Sequence, residues 1–269
     1  MSTDDVPTEL PREVLAAWGE LPGGSRGPRA ELSLEAITAT AVELADREGL
    51  AAVSMGRVAK ALGYTTMSLY RHVANKDELL RHMQDAALGP APRHLTEGMQ
   101  WRDGLTVWTR QILLELGRHP WSIEIASSIS SGPLMPRSLE WTDWGASLLT
   151  DVPLPPIEKL SCLMLLNGYA RNEVAMGGGN LREQRRRGTD TMQEELLFQR
   201  GFERFATAER LPALHRLVED GLFPAVDPEM IAGPGDELEY VIDHGLLDFG
   251  LQRILDGIEV HIRRHLDAD

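Results

Sequence analysis

Hydrophobic positions recur along this chain at spacings of three and four, the period of an α-helix, and no stretch alternates long enough to predict a strand. Ile37, Ala41, Leu44 and Ala45 fall on one face of a first strong helix, with Ser33 as its N-cap and Gly49 at its end. A second helix is predicted over 54–62. It stops at Gly63, where glycine adopts a left-handed conformation without a Cβ penalty. A third, short helix spans about 66–73. The fourth opens on a variant capping box, with Asn75 at the N-cap and Glu78 at N3.

Gly89-Pro90-Ala91-Pro92 breaks the pattern and marks a domain boundary. Further helices are predicted over 101–118, 120–129, 136–150, 156–176, 182–208, 212–220 and 236–266, with loops at Gly177-Gly178-Gly179-Asn180 and over 221–235. The last helix has Leu247, Leu251, Ile254, Ile258 and Ile262 as a seam, which suits packing within the subunit or against a second copy. The helix holding 160–166 is apolar on nearly every side and needs partners all round, which favours a homodimer with a four-helix interface.

The fold class is therefore all-α. Residues 1–30 form a flexible extension, 31–88 a first helical domain whose second and third helices have helix-turn-helix spacing, and 93–269 a larger helical domain. The extension contains a short amphipathic piece from Pro11 to Trp18 and a Gly/Pro linker. Its Arg26 and Arg29 suit either an arm reaching a DNA groove or a solvated tail.

Composition narrows the class. The 269 residues are 42% hydrophobic and 25% charged, as in an ordinary globular protein. The apolar stretch 163–166, like every other in the chain, is too short for a bilayer, and the first residues are acidic rather than a basic signal. A single cysteine, Cys162, allows no intrachain disulfide and suits a buried thiol in a reducing cytoplasm, the expected location. The net charge of −14 opposes phosphate binding by bulk attraction. Between Glu31 and Leu88 there are eight acids and six bases, but Arg57, Lys60, Arg71 and Lys76 fall where a helix-turn-helix meets DNA. Local placement outweighs total charge beyond a screening length of about 8 Å.

Within 54–73, Ala59 is small where a helix crosses above it, and Val58, Leu62, Leu69 and Val73 point inward. Thr66, Met67, Ser68 and Arg71 then project from the third helix toward a major groove. Ser54 caps its helix beside free backbone N–H groups that suit a phosphate, Tyr70 sits at the rim, and Lys76 suits a phosphate or a solvated surface.

Leu69-Tyr70-Arg71-His72-Val73 followed by Asn75-Lys76-Asp77-Glu78-Leu79-Leu80 resembles the signature of the TetR family, over about residues 31–88. Arg118-His119-Pro120-Trp121 and the run from Phe249 to Glu259 are similar to the family's tetracycline-repressor branch. The resemblance implies base contact from the third helix (Thr66, Met67, Ser68, Arg71); Thr65 at its start and Arg57, which is next to Gly56 but points elsewhere, are further DNA-binding candidates. The resemblance implies phosphate contact at Ser54, Tyr70, His72 and Lys76. It also implies a ligand-responsive repressor that leaves a palindromic operator, with an activator of the same fold as the alternative. Gly56 stands where that branch has a base-reading arginine, so the operator sequence does not carry over.

Five of the six tryptophans lie beyond residue 93. Trp108, Trp121, Trp141 and Trp144 with Met164 suit an adaptable apolar cavity, although aromatics at helical spacing usually form core. Asn167, Tyr169 and Arg171 are the candidate polar anchors, and His119, at the helix break before Pro120, is a ligand-site candidate that couples the cavity to the DNA-binding domain. The expected effector is small and mostly hydrophobic. No cofactor, metal or catalytic residue is expected. His261 and His265 have zincin-like i, i+4 spacing but no glutamate between them, and the Gly177 run lacks a following lysine and strand. An enzyme and an adaptor are the other classes kept in view.

Overall fold

The computed structural model describes residues 10–21, 32–128, 134–187, 191–223 and 246–267. Among these the secondary structure is helical, with no strand: α1 Arg12–Ala17, α2 Leu34–Glu48, α3 Met55–Leu62, α4 Thr66–Leu69, α5 Lys76–Ala86, α6 Trp101–Arg118, α7 Trp121–Ser128, α8 Pro136–Leu148, α9 Pro156–Arg187, α10 Thr191–Phe205, α11 Pro212–Glu219 and α12 Leu246–Leu266. Arg26 and Arg29, the loop beyond residue 223 and the predicted start of the last helix at 236–245 lie outside the described residues. The chain divides into two compact units, Met1–Val174 with His244–Asp269, and Ala175–Asp243.

The helix starts follow from local chemistry. Ser33, Ser54 and Thr65 each accept, through the side-chain oxygen, the backbone N–H three residues on, at 3.2, 3.3 and 3.3 Å. Asn75 does the same for Glu78 N at 2.8 Å, and the Glu78 carboxylate accepts Ala74 N at 2.8 Å, one residue earlier than a regular capping box. α3 closes at Gly63, whose φ of 76° requires a residue at ease in the left-handed region. Gly63 N donates to Lys60 O at 3.2 Å and Tyr64 N to Ala59 O at 2.9 Å, which is a Schellman closure.

Ile37, Ala41, Leu44, Val58, Leu69, Val73, Leu79 and Met83 form the first core, and Trp121 and Ile125 of α7 join it. The break at Gly89–Pro92 therefore does not close this core. In the larger helical region α6 crosses α8 closely at Gly145, where a Cβ would sit 2.9 Å from Trp108 Cε2.

Four sequence expectations change. The piece from Pro11 to Trp18 is not a free extension: α1 buries Val14, Arg12 pairs with Glu78, Glu13 pairs with Arg81 at 3.3 Å, and Trp18 Nε1 donates to Leu134 O at 2.8 Å. The 177–180 loop is absent because α9 runs through it. Each glycine costs about 1 kcal/mol in a helix interior, which a long helix already anchored by its first half absorbs. α10 accordingly begins at Thr191 rather than 182. Finally, Leu251, Ile258 and Ile262 of α12 are buried inside their own subunit, so the seam read from their spacing faces inward; the Leu247 side chain lies outside the described residues.

On α5, His82 is buried and its Nε2 has no hydrogen-bond partner, with Glu78 Oε1 3.8 Å away. Burial lowers its pKa from 6.5, outweighing the upward pull of Glu78, Asp85 and Glu13. A folded-state value below the unfolded one gives stability that is whole above the unfolded pKa and is lost as pH falls toward the folded one. Urea unfolding from pH 7.5 to 5 should show stability falling below about pH 6.5, and His82→Gln should flatten that slope. An equal slope in both proteins would remove His82 from the account.

Candidate nucleic-acid interface

Leu69, fully buried, turns α4 so that its other side faces solvent. Met67 is 74% exposed and Tyr70 44%, Thr65 and Arg71 are exposed, and Thr66, Ser68 and His72 are half-buried. Ser54 and Lys76, at the starts of α3 and α5, are also exposed, as is Lys60 on α3. The ten expected residues thus lie on or beside one short helix and the two helix starts that flank it. Thr65 Oγ1 and Ser68 Oγ are 2.9 Å apart, which fixes the rotamers at the head of α4.

Three cations of this surface are unmatched by carboxylates: Arg71, Lys60 and Lys76 form no ion pair among the described residues. By contrast Arg12, Arg81, Arg93, Arg102, Arg110 and Arg137 are each matched to a carboxylate. Arg57 is the exception at the interface: its guanidinium holds Glu48 at 2.6 Å and keeps that carboxyl below its usual range. Exposed backbone N–H groups at the starts of α3 and α5 add partial positive charge.

Two carboxylates that the sequence did not single out tie this region to the helices that follow. Asp46 on α2 accepts Trp121 Nε1 at 2.6 Å and lies 2.8 Å from His119 Nδ1. His119 therefore sits at a junction between α2 and the α6–α7 break. Asp85, 8% exposed, accepts Arg137 N at 3.1 Å, Ser138 N at 2.9 Å and Ser138 Oγ at 3.0 Å. It thereby caps α8, whose own N-cap, Met135, has no side-chain bond to offer. No local motif announces either contact, because the partners are more than fifty residues away.

The expected ligand residues are spread over α6, the α6–α7 break, α7, α8 and α9. Trp108, Trp121, Trp141 and Trp144 are buried, and their indole N–H groups donate to Trp141 O, Asp46, Gly89 O and Thr96 Oγ1. They are core residues with their polar atoms already matched. Only Trp144 reaches a recess, of about 430 Å³, beside Arg93, Met99, Trp101 and Val152. Met164 is 67% exposed, on an outward face of α9 that also holds Ile157, Leu160 and Leu165. Asn167 and Arg171 are half-buried on α9. Arg171 has no hydrogen bond or ion pair among the described residues, and burial lowers its pKa. Burial, reinforced by Glu173, raises Tyr169 to about 12, so its hydroxyl stays protonated. A separate apolar recess of about 440 Å³ lies between α10 and α11, lined by Phe198, Phe202, Phe205 and Leu211. No described helix is long and apolar enough to cross a membrane.

A family model of bacterial regulatory proteins, tetR family, matches residues 37–83, from the first turn of α2 to near the end of α5. A protein of Streptomyces coeruleorubidus described as HTH-type transcriptional repressor DrrR1 is 32% identical over 255 residues, spanning 94% of this chain and 86% of its own. Crystal structures of ActR from Streptomyces coelicolor, apo and with actinorhodin, share the fold. At 24% identity each has a TM-score of 0.61 and covers 87% of this chain and 99% of its own.

Proposed function

The chain belongs to the tetR family of bacterial regulatory proteins, and on that premise we propose that it is a ligand-responsive repressor, released from a roughly palindromic operator by a small hydrophobic molecule. Family membership makes it a DNA-binding transcription regulator rather than an enzyme. The observation that supports the DNA side best is the set of unpaired cations, Lys60, Arg71 and Lys76, around the exposed face of α4. Thr65, Thr66, Met67, Ser68 and Arg71 are assigned to base edges. Ser54, Tyr70, His72 and Lys76 are assigned to phosphates, and Arg57 to either once it leaves Glu48.

Repression rather than activation follows the description of DrrR1. A homodimer is assigned to the outward faces of α9 (Ile157, Leu160, Met164, Leu165) and α12 (Phe249, Val260), not to the inward seam. That ActR was crystallised with actinorhodin supports an effector of that hydrophobic kind, with Asn167 and Arg171 as its polar contacts and the tryptophans shaping the helical wall. The ties at Asp46 and Asp85 offer a route by which a shift of α6–α8 reaches α2 and α5. The protein acts in the cytoplasm, where its DNA lies.

Footprinting on the DNA upstream of its own gene tests this. Two protected half-sites about one helical turn apart are expected, lost on adding an inducing compound from a panel of aromatic antibiotics. A protein that stays monomeric and binds no duplex at low salt would overturn it.

A further inference from the structure

We propose that Glu158, His261 and His265 form a binding site for a borderline divalent transition cation, Zn²⁺ foremost, where the first turn of α9 meets the last turns of α12. Glu158 Oε2 lies 2.7 Å from His261 Nε2 and 3.5 Å from His265 Nε2, and one ligand atom from each residue falls within 4.8 Å of the others. Two imidazole nitrogens and one carboxylate oxygen are the donor set of an open zinc site, whereas Mg²⁺ and Ca²⁺ ask for six or more oxygens. Bonds of about 2.0–2.1 Å in a tetrahedron put neighbouring ligand atoms about 3.3 Å apart. The two separations from Glu158 bracket that value, so small side-chain rotations suffice.

The surroundings point the same way. His265 Nδ1 lies 3.3 Å from the carbonyl oxygen of His261, the kind of outer contact that fixes a ligating imidazole. With the proton on Nδ1, Nε2 presents its lone pair toward the Glu158 carboxylate. Two acceptors facing each other are satisfied by a proton or by a metal cation between them, and the second imidazole on the same carboxylate oxygen supplies the further donor that a metal uses. The i, i+4 spacing sets both rings on one face, centroids 4.7 Å apart. The negative end of the α12 dipole favours positive charge there. All three side chains are reachable from solvent, and the fourth position is left to water or another donor. The histidine spacing is legible in the sequence, but the third ligand is 103 residues away from His261. A bound cation staples the end of α12 to the start of α9.

The test uses the full-length chain, stripped with chelator and titrated with Co²⁺ and then Zn²⁺. One equivalent of Zn²⁺ per chain should bind, and Co²⁺ should give the visible absorption of a four- or five-coordinate ion that Zn²⁺ abolishes. A hundredfold excess of Zn²⁺ over its Kd should raise Tm by on the order of 5 °C. The double variant H261A/H265A should lose all three signals, Glu158→Gln should weaken Zn²⁺ at least tenfold, and His94→Ala should change nothing. His265→Gln, a smaller change at a part-exposed position, serves if the double variant unfolds. Failure of the wild type to bind Zn²⁺ at one saturable equivalent overturns the site. So does undiminished binding by the variants, or a Co²⁺ spectrum that stays octahedral.

Discussion

Replacing Arg71 and Lys76 together by alanine should lower operator affinity about a thousandfold at 0.1 M salt. Each side chain is solvent-exposed and without an ion pair among the described residues, so neither needs to leave a protein partner before meeting DNA. A charged contact to nucleic acid contributes roughly 1–3 kcal/mol. A symmetric dimer loses each contact twice, so four losses at about 1 kcal/mol each give about 10³ in affinity. The logarithmic salt slope should also become shallower by about 2 if only Lys76 touches phosphate, and by about 4 if Arg71 does too. Arg57→Ala should cost less, because in the free protein Arg57 is already held by Glu48 and must break that pair to bind. Arg264→Ala, an exposed cation near the end of α12, serves as the charge control and should leave binding within twofold. Fluorescence anisotropy at three salt concentrations reads all of these. If the double variant keeps both wild-type affinity and slope, α4 and α5 do not form the DNA-binding surface. A chain of net charge −14 can present a local cationic surface in this way: Arg71, Lys60 and Lys76 form no ion pair among the described residues, while Arg102, Arg110 and Arg137 are held by carboxylates.

The helix-turn-helix was legible because its determinants are local. A cap, a glycine after a helix and an inward valine act within four residues of themselves, so the pattern at Ser54, Gly63 and Leu69 carries directly into structure. The larger domain was legible only as helices. Periodicity along 251–262 shows that α12 has an apolar face; it does not show what covers that face, and the cover is the same subunit. The exposed apolar side of α9 is less regular and stands out only once its neighbours are placed. The tryptophans were ambiguous for a related reason. An indole suits a cavity or a core equally by composition, and what decides is whether its N–H finds a fixed acceptor, as at Gly89, Thr96 and Asp46. α1 was underestimated because six residues hold no helix alone; the partners Glu78 and Arg81 that hold it are on α5.

Asp85→Ala should destabilise the folded chain by about 3 kcal/mol, the largest stability loss expected from a single polar side chain here. Asp85 sits in the last turn of α5, where the helix dipole disfavours a negative charge. It is stable there because the same carboxylate meets the positive end of α8, accepting two of that helix's unpaired N–H groups and the Ser138 hydroxyl. Removing it leaves three donors facing a space that is largely closed to water. Each bond to a charged acceptor contributes about 1.5–3 kcal/mol, and shared geometry together with partial access of solvent keeps the total well below the sum. Asp85→Asn should lose roughly half as much, since its carbonyl oxygen still serves Ser138 while its amide faces the donor of Arg137. In urea the alanine variant's midpoint should fall by about 1 M if the slope is near 3 kcal/mol/M. Because this side chain ties α8 to α5, alanine should also weaken operator binding at temperatures where the wild type is unaffected. A loss below about 1 kcal/mol would mean that water caps α8 as well as the carboxylate does, and that α5 and α8 are held together by their apolar contacts alone.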